Sequence, residues 1–401
     1  MRLIWSGSVP HSYAQLSQFK FIGETMRYCS RCVLPDTRPG IVLGIGDVCN
    51  ACSAYSEATA SVDWSSREAA FRALVAETKK HSKGYDCVIP VSGGKDSTWQ
   101  VLRCLEYGLN PLAVTWRTPA RTELGQYNLD RLIELGVDHI DYQVNPKVEK
   151  IFMLRALERL GSTAIPMHLA IFNIPLSIAV KFDVPLVVWG ENSADEYGTK
   201  DSSLRGHRLT RDWLKVFGVS NGTTVEDWID EELTRQKLTP YFGPTDQQLA
   251  EKGTHAVFLG HYFGWDPETT LAFAKKSGFR VREEGPKVGY WNYADIDDDF
   301  ISIHHYLKWY KFGFTRLFDN LSIEIRRNRM TRDEAINVIK VYREQLPQLD
   351  IEKFCAFVGI TTSRFFHVIE KFRNPTIWKR IGTEWKIPNF LIPDWDWRAP
   401  S

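Results

Sequence analysis

The 401-residue chain lacks several features that would define its class at once. It has no run of the roughly 18 to 20 apolar residues that a membrane span requires. The first 25 residues are polar and irregular, without the apolar core of a signal peptide. A formal net charge of +1 gives no global field that would attract nucleic acid. These absences predict a cytoplasmic globular protein, long enough for about two to three domains.

Cysteine is scarce, but four of the seven cysteines lie close together in the sequence. Cys29 and Cys32 form one C-x2-C pair, and Cys49 and Cys52 form a second pair after residues 33–48. In a cytosolic chain such pairs indicate a metal site before disulfides. Four thiolates around one tetrahedral Zn²⁺ suit this spacing, with an iron–sulfur cluster and then free thiols as the alternatives. Four protein ligands leave no open position, so we expect a structural zinc.

Apolar runs alternate with amphipathic segments through the middle of the chain, which is typical of a parallel sheet covered by helices on both faces. The expected strands are 86–91, 111–116, 139–144, 184–190 and 255–260. The expected helices are 65–80, the segment that ends at Gly108, 126–135, 147–160 and 171–182. A polar insertion, 198–250, is expected to be helical in part. Ligands of such sheets bind at the carboxyl ends of the strands.

A glycine-rich loop joins the first strand to its helix, and it consists of Ser92, Gly93, Gly94, Lys95, Asp96 and Ser97. Glycines let the backbone approach a ligand, and free N–H groups at a helix start attract an anion. The two hydroxyl groups and the lysine favour a phosphate, whereas an aspartate requires Mg²⁺ between itself and the phosphates. The spacing excludes the Walker loop and the dinucleotide fingerprint. It matches S-G-G-x-D-S, the PP-loop motif of ATP pyrophosphatases, which cleave ATP between the α and β phosphates.

A second motif, "WGENSADEYG" (189–198), follows the fourth strand and resembles the second conserved loop of PP-loop enzymes. The resemblance implies contacts to ATP, the metal or the activated substrate. The candidate nucleotide-binding residues here are Gly190, Glu191 and Asn192, with Trp116 at the end of the second strand. The candidate catalytic residues are Lys95, Asp96, Asp195 and Glu196, of which Asp96 and Asp195 are candidate Mg²⁺ ligands. A solvated acidic turn is the alternative interpretation of this motif.

Three parts of the sequence carry a family resemblance. They are "MRYCSRCVLPDTRPGI" with "DVCNAC", "VSGGKDSTWQ" with "WGENSADEYG", and "VGYWNYADIDDDFISIHHYLKWYKFGFTR" (288–316). Together they resemble the N-acetyl sugar amidotransferases of the WbpG and PseA type, a family of the PP-loop superfamily; the third part is the family-specific one. The resemblance implies a bacterial lipopolysaccharide O-antigen or flagellar-glycan enzyme. Such an enzyme uses ATP and Mg²⁺ to convert an acetamido group of a sugar, nucleotide-linked or free, into an acetamidino group through an O-adenylated intermediate.

The third part is dense in aromatic, acidic and basic side chains, which suit an acylated amino-sugar. Aromatic faces pack on sugar rings, and cations pair with carboxylate or phosphate. The candidate substrate residues are Tyr290, Trp291, Asn292, Asp295, Asp297, His304, His305, Lys308, Lys311 and Arg316. Buried core or interface groups are the alternative interpretation of these side chains.

The sequence also predicts a domain order and a partner. The expected units are an N-terminal extension (1–25), a four-cysteine zinc unit (26–62), a PP-loop domain (63–280) and a helical, aromatic-rich C-terminal region (281–401). Cys87, Cys104 and Cys355 lie in a strand, a helix and an apolar stretch, settings that do not suit a glutaminase nucleophile. We therefore expect ammonia from a separate subunit. The resemblance implies a HisH-like glutaminase, with a HisF-like cyclase-type subunit, and an ammonia tunnel.

Two other functions remain open on sequence alone. A PP-loop enzyme that thiolates tRNA would combine the same loop with a zinc or iron–sulfur site, but it needs a reactive cysteine and a basic face. The near-neutral net charge disfavours it. A zinc scaffold without catalysis is the second alternative, and the intact set of Ser92, Lys95, Asp96 and Ser97 argues against it.

Overall fold

A five-stranded sheet forms the centre of the computed structural model, which describes residues 25–199 and 201–397. The strands are β1 Cys87–Pro90, β2 Pro111–Trp116, β3 Asp138–Tyr142, β4 Leu186–Trp189 and β5 His255–Phe258. All neighbours pair in parallel, in the order β3-β2-β1-β4-β5. Each expected strand is present, so this part of the prediction is confirmed. The expected N-terminal extension, apart from Thr25, lies outside the described residues.

Helices precede, connect and follow the strands. They are α1 Asn50–Ser61, α2 Trp64–His81, α3 Lys95–Glu106, α4 Glu123–Ile133, α5 Pro146–Leu160 and α6 Ile165–Lys181 before β4, then α7 Ser193–Tyr197, α8 Arg211–Phe217 and α9 Asp246–Lys252 before β5, and α10 Leu259–Phe263 and α11 Pro267–Lys276 after it. The polar insertion is thus helical in part, as predicted. α6 begins earlier than the predicted 171, because Pro166 occupies its first turn, where a proline needs no N–H partner.

Side chains of the sheet alternate between two apolar layers. Val88, Val114 and Val187 belong to the layer that includes α5 and α6. Ile89 and Val188 belong to the opposite layer, with α3 and α4. The strands β1, β2, β4 and β5 are therefore buried on both faces, as expected for parallel strands, whereas the edge strand β3 is partly exposed.

The C-terminal region is mostly helical, as predicted, and packs on the layer formed by α5 and α6. Its helices are α12 Ile301–Phe312, α13 Arg316–Arg326, α14 Arg332–Tyr342, α15 Gln348–Val358 and α16 Thr362–Glu370. A small antiparallel hairpin, β6 Lys379–Ile381 and β7 Glu384–Lys386, follows them and was not predicted. α15 and α16 both pack against α5, within one apolar core shared with the sheet. The domain limits at 62 and 280 therefore stay a prediction.

An irregular segment before α12 crosses the carboxyl ends of the strands. The backbone N–H of Thr122 donates to the Asp297 carbonyl at 3.1 Å, and that of Asp299 donates to the Ala120 carbonyl at 3.0 Å. These bonds place part of the family-specific segment at the edge where ligands of such sheets bind. In the two stretches that the structure describes, no helix is long and apolar enough to cross a membrane.

Candidate active site and four-cysteine cluster

The loop of Ser92–Ser97 lies at the point where β1 has β2 on one side and β4 on the other. Switch points of this kind are the ligand sites of α/β sheets. Gly93 has a φ of +88°, and a Cβ there would lie 2.6 Å from the Gly125 carbonyl oxygen. A Cβ at Gly190 would lie 2.7 Å from the Gln100 Nε2 atom. A side chain at Gly93 would thus overlap backbone atoms, whereas at Gly190 it would displace only the end of the Gln100 side chain.

Lys95 and Asp96 form an ion pair at the start of α3. The Lys95 Nζ atom lies 2.7 and 2.6 Å from the two carboxylate oxygens of Asp96, and the Trp265 Nε1 atom donates to Asp96 Oδ1 at 2.8 Å. The same Nζ atom lies 5.2 Å from the ring centroid of Trp265 and 5.6 Å from that of Tyr293. The Lys95 side chain is only 4% exposed. A buried ammonium group is thus held between two rings and beside a carboxylate.

The two serines of the loop have different surroundings. Ser97 is buried, and its hydroxyl donates to the Gly94 carbonyl at 2.9 Å. Ser92 is exposed, and its Oγ atom accepts from the Gly94 N–H at 3.3 Å. Burial raises the pKa of the Asp297 carboxyl, and a hydrogen bond from Ser92 opposes that rise. The exposed serine thus links the loop to the family-specific segment.

Two acids of the loop after β4 share the electrostatic environment of Asp96. Burial and the nearby charge of Asp96 raise the pKa of the Glu191 carboxyl to about 7. Burial, with repulsion from Glu191 and Asp96, raises the pKa of Glu196 well above its ordinary value. Within the described residues, the Glu196 Oε1 atom is buried and lacks a hydrogen-bond partner. A hard divalent cation such as Mg²⁺ would offset the repulsion between these carboxyl groups. The ligand atoms of Asp96, Glu191 and Glu196 do not all lie within 4.8 Å of one another, in contrast to those of the four cysteines described below.

Asn192 has partners for its whole side chain. Its Oδ1 atom accepts from the Ala194 N–H at 2.9 Å and from the Trp213 Nε1 atom at 2.8 Å. Its Nδ2 atom donates to the carbonyls of Leu204 and Gly206 at 3.1 and 3.2 Å. An amide has two donors and two acceptor positions, and all four are used. The side chain therefore holds the loop in shape rather than offering a free contact to a nucleotide.

Asp195 and Trp116 contact ionisable groups other than Asp96. The Asp195 side chain is 49% exposed and lies 3.5 Å from the Arg205 Nε atom. The buried Trp116 side chain donates through Nε1 to Glu149 Oε1 at 3.1 Å. Burial raises the pKa of the Glu149 carboxyl to about 8. Glu196, rather than Asp195, is the acid of α7 that shares the environment of Asp96.

The basic candidate residues come together on α12 and at the start of α13. They are His304, His305, Lys308, Lys311 and Arg316, which are all buried or half-buried, and we use the name basic cleft for this group of side chains. Burial lowers the pKa of His305 to about 4, and burial with the charge of Lys308 lowers the pKa of Lys311 to about 8. Among the described residues, the Nδ1 atoms of His304 and His305 are buried without partners. Lysines beside neutral imidazoles with free nitrogens suit a polar, electron-rich ligand.

Two buried aspartates balance part of the charge of the basic cleft. Asp295 Oδ2 lies 3.2 Å from Arg316 Nε, and Asp295 Oδ1 lies 3.3 Å from His305 Nε2. Asp319 Oδ2 lies 3.1 Å from Lys308 Nζ. Asp319 was not expected from the sequence, and neither was His168 of α6, whose ring centroid lies 5.5 Å from that of His304.

The remaining candidate substrate residues belong to a separate, more open cleft of about 450 Å³. Its lining includes Tyr290, Trp291, Asn292, Glu324 and Arg329. The Trp291 Nε1 atom donates to Glu324 Oε1 at 3.0 Å, and the Trp291 ring stacks on Tyr293 with centroids 5.7 Å apart. The stacked pair extends from this cleft toward Lys95. The candidate substrate residues thus fall into two groups, one that lines this cleft and one that forms the basic cleft.

Sequence reasoning missed Trp265, although a signal for it exists. Trp265 comes shortly after β5, at the same edge of the sheet as the two loops. A rule that takes polar or aromatic residues after every strand would have included it. His168 and Asp319 come from elements far apart in the chain, and local sequence gives no signal for them.

The four expected metal ligands lie together. The Sγ atoms of Cys29, Cys32, Cys49 and Cys52 all lie within 4.8 Å of one another, and all four residues are buried. The Cys32 and Cys49 sulfurs are 3.8 Å apart, and a tetrahedron with Zn–S bonds of about 2.3 Å has edges of about 3.8 Å. Cys29 Sγ accepts backbone N–H bonds from Cys32 at 3.4 Å and Cys49 at 3.2 Å, which stabilise a thiolate. The donor set therefore fits one structural Zn²⁺.

Comparison with known proteins supports the sequence resemblance. Residues 288–391 match the family described as "LPS biosynthesis protein WbpG-like, C-terminal domain". None of the curated proteins compared with the chain matches it.

Similar solved structures include three synthetases. The NH3-dependent NAD synthetase from Campylobacter jejuni subsp. jejuni NCTC 11168, in complex with the nitrate ion, is 16% identical over 48% of this chain and 97% of that chain, with a TM-score of 0.29. The NMN synthetase from Francisella tularensis is 12% identical over 48% and 92%, with a TM-score of 0.26. The NAD+ synthetase from Burkholderia pseudomallei is 17% identical over 57% and 94%, with a TM-score of 0.26. Residues 288–391 of this chain are similar to the WbpG-like C-terminal domain, and this similarity supports the family resemblance of the sequence.

Proposed function

We propose that the protein is an ATP-dependent amidotransferase that converts an acetamido group of a sugar into an acetamidino group. It would act in bacterial surface polysaccharide biosynthesis with ammonia from a partner glutaminase. The position of the WbpG-like segment is the observation that carries this proposal. Tyr293 lies beside Lys95, Asp297 beside Ser92, and Arg316 close enough to lower the pKa of Glu191. A segment of an LPS-biosynthesis family thereby contributes side chains to a phosphate-binding type of loop.

The chemistry explains why ATP is needed. An amide carbon is a weak electrophile, and its oxygen is a poor leaving group. In the proposed reaction the amide oxygen attacks the α-phosphorus of ATP, and the bond to the bridging oxygen breaks, which releases pyrophosphate. Ammonia then attacks the imidate carbon, AMP leaves with the former amide oxygen, and a proton is lost. The sum is amide, ammonia and ATP giving amidine, AMP and pyrophosphate.

The residues of the loop suit the first step. Backbone N–H groups at the start of α3 and the ammonium group of Lys95 would hold phosphate oxygens. Asp96, with Glu191 and Glu196, would hold Mg²⁺, which neutralises charge on the phosphates. Asp195 stays a candidate catalytic residue beside Arg205. The two aromatic rings around Lys95 keep its charge away from bulk water, which strengthens its attraction for an anion.

The basic cleft is the proposed site of the acceptor sugar. Arg316 connects this cleft to the nucleotide loops, because it binds Asp295 at 3.2 Å and the Tyr197 hydroxyl at 3.2 Å. Lys308 and Lys311 would hold polar or anionic groups of the sugar. A neutral His304 has a free Nδ1 atom that would accept a hydroxyl or amide proton. The open cleft of Tyr290, Trp291 and Asn292 would take a more distant part of the substrate.

The cysteines outside the cluster support an external ammonia source. Cys87 and Cys104 are 0% exposed and Cys355 is 3% exposed. A buried thiol cannot attack the side chain of a free glutamine. The same burial disfavours tRNA thiolation, because that reaction needs an accessible thiol near ATP.

A labelled substrate tests the proposed function. The full chain is incubated with ATP, Mg²⁺, an ammonium salt and a panel of free, UDP-linked and CMP-linked acetamido sugars that carry ¹⁸O in the acetamido group. We expect sugar-dependent release of pyrophosphate, with the label in AMP and NH in place of oxygen in the sugar. Release of ADP, or AMP without the label, would contradict the proposal.

A further inference from the structure

The zinc unit, residues 26–62, packs against the candidate active site instead of standing apart from it. The Thr37 hydroxyl donates to the Phe312 carbonyl at the end of α12, at 2.6 Å. On the other side, α1 packs against α7, and the Asn50 Nδ2 atom donates to the Thr199 carbonyl at 3.1 Å. The unit therefore contacts both α12, which carries most of the basic cleft, and the segment after β4, which carries Glu191 and Glu196.

Arg38 lies between the two cysteine pairs and extends toward the basic cleft. Its Nε atom donates to Asp319 Oδ1 at 2.6 Å, and its guanidinium carbon lies 4.6 Å from the ring centroid of Tyr197. The side chains of Arg38 and Asp319 are 12% and 1% exposed. The other Asp319 oxygen lies 3.1 Å from Lys308 Nζ and 4.0 Å from the Arg316 NH1 atom. One buried carboxylate thus serves three cations, two of which belong to the cleft.

The three cations compete for this carboxylate. Burial alone would raise the pKa of Asp319, but Arg38, Lys308 and Arg316 hold it below its usual range. While Arg38 occupies Oδ1, Arg316 stays at the longer distance and binds Asp295 instead. If Arg38 were removed, a buried carboxylate oxygen would lose its partner, which is costly. Arg316 and Lys308 would then turn toward it and away from the cleft.

We propose that Arg38 is a positioning residue of the basic cleft, and that metal binding by the four cysteines is linked through Arg38 to the order of α13. The metal would fix both ends of the loop that carries Arg38, so the zinc unit forms one wall of the cleft. The Arg332 Nε atom, which donates to the Cys32 carbonyl at 3.0 Å, ties the same wall to α14. The inference rests on the proposed function only where it names the cleft as the acceptor site.

Hydrogen–deuterium exchange with Zn²⁺ as the only added ligand tests the linkage on the full chain. In the wild type, zinc is expected to slow exchange in the cysteine peptides and in peptides that cover 316–322. In Arg38→Ala, zinc should still protect the cysteine peptides but not 316–322, and Arg38→Lys should restore part of the effect. Arg27→Ala is the matched control, since Arg27 lies in the same unit, is 58% exposed and pairs with Asp36 and Asp47. It should behave as the wild type.

Equal zinc-dependent protection of 316–322 in the wild type and Arg38→Ala would overturn the proposal. Peptides from β1 to β5 report global unfolding. If the zinc-free chains unfold, zinc-loaded chains are compared instead. Arg38→Ala must then exchange faster than Arg27→Ala at 316–322 while its cysteine peptides stay protected, and equal rates would again overturn the proposal.

Kinetics separate positioning from general stability. With the acetamido sugar that releases labelled AMP, Arg38→Ala is expected to raise the sugar KM by roughly tenfold and to leave the ATP KM within about twofold. Arg38→Lys should recover part of the loss. Equal rises in both KM values would refute a role in the cleft. If no sugar releases AMP, the proposed function fails, and the exchange experiment still decides the linkage.

Discussion

Asp96 is the residue on which the proposed phosphate chemistry depends most directly. Asp96→Asn keeps the size of the side chain and an oxygen for the Trp265 N–H, but removes the charge that faces Lys95. We expect sugar-dependent pyrophosphate release to fall by roughly 10²–10³-fold. Without the Asp96 carboxylate, Mg²⁺ would be held less well and would stabilise less of the negative charge that develops on the phosphates. Asp212→Asn is the matched control, since Asp212 pairs with Lys215 at the surface. Full activity in Asp96→Asn would remove the metal role from this residue.

Glu149 gives a pH prediction at the same scale. Burial, opposed by the Trp116 N–H, raises its pKa from 4.5 to about 8. The folded protein therefore keeps a proton that the unfolded chain releases, so the stabilisation is complete below pH 4.5 and is lost as the pH rises through about 8. Glu149→Gln should abolish this loss, which amounts to roughly 2–5 kcal/mol.

Urea unfolding from about pH 5 to about pH 9 measures the effect of Glu149. The unfolding free energy of the wild type should fall relative to that of Glu149→Gln as the pH rises. The exposed Glu123→Gln should follow the wild type at every pH. Parallel curves for the wild type and Glu149→Gln would mean that the carboxyl ionises normally.

Candidate site residues could be predicted from sequence where all residues of a motif lie in one loop. The loop of Ser92–Ser97 is such a case, because its glycines and charged residues follow a strand directly. The partnership of Arg38 and Asp319 could not be predicted, since 281 positions separate them. Asn192 stays a prediction as a nucleotide-binding residue, and its sequence could not show that hydrogen bonds within the loop use its whole side chain.

At the scale of elements, the turn between β1 and α3 depends on glycine in two ways. Gly93 has a positive φ, and an added Cβ would overlap the Gly125 carbonyl. Gly136 has a φ of +96°, but a Cβ added there would meet no atom within 4 Å. A substitution at Gly136 therefore measures the cost of the backbone conformation without the cost of a steric overlap. We expect Gly136→Ala to cost about 1 kcal/mol and Gly93→Ala at least about 2 kcal/mol more.

Denaturant unfolding compares the two glycine variants, and pyrophosphate release follows activity. Gly136→Ala should keep normal turnover, whereas Gly93→Ala should lose most of it, because the loop must move away from α4. Equal stability losses in both variants would show that the close packing of Gly93 is unimportant.

Strands were predicted well because each buried strand is a short apolar run between turn residues. Boundaries were less accurate where tertiary contacts decide them. The fifth strand was expected to continue to 260, but it ends at Phe258, and the Gly260 N–H donates to the Gly190 carbonyl at 2.8 Å instead. The hairpin of β6 and β7 was missed, since its exposed residues carry no apolar alternation.

At the scale of the whole molecule, the zinc unit, the sheet and the WbpG-like segment pack around one apolar core. Val88 of the sheet, Cys32 of the zinc unit and Ile303 of α12 belong to the same apolar core. Arg38 of the zinc unit, Lys95 of the helix after β1 and Arg316 of the WbpG-like segment all lie around the candidate active site. Each part could be predicted from sequence, because its motif lies within one short stretch of the chain. The contacts between the parts join residues far apart in the sequence, so they could not be predicted.

Because the four cysteines lie inside this shared core, we expect a metal bound to them to stabilise the whole fold. We expect the purified chain to contain one zinc, and Co²⁺ in its place to show the intense visible absorption of a tetrahedral tetrathiolate site. Cys32→Ala should lose the metal and unfold at a lower temperature, since the cluster lies inside the core that also holds α12. Cys355→Ala is the control, because Cys355 is also buried but lies outside the cluster, so it should keep the metal. If the purified chain contained iron and acid-labile sulfide, the cysteines would bind an iron–sulfur cluster instead of zinc. That result would favour the alternative function in tRNA thiolation.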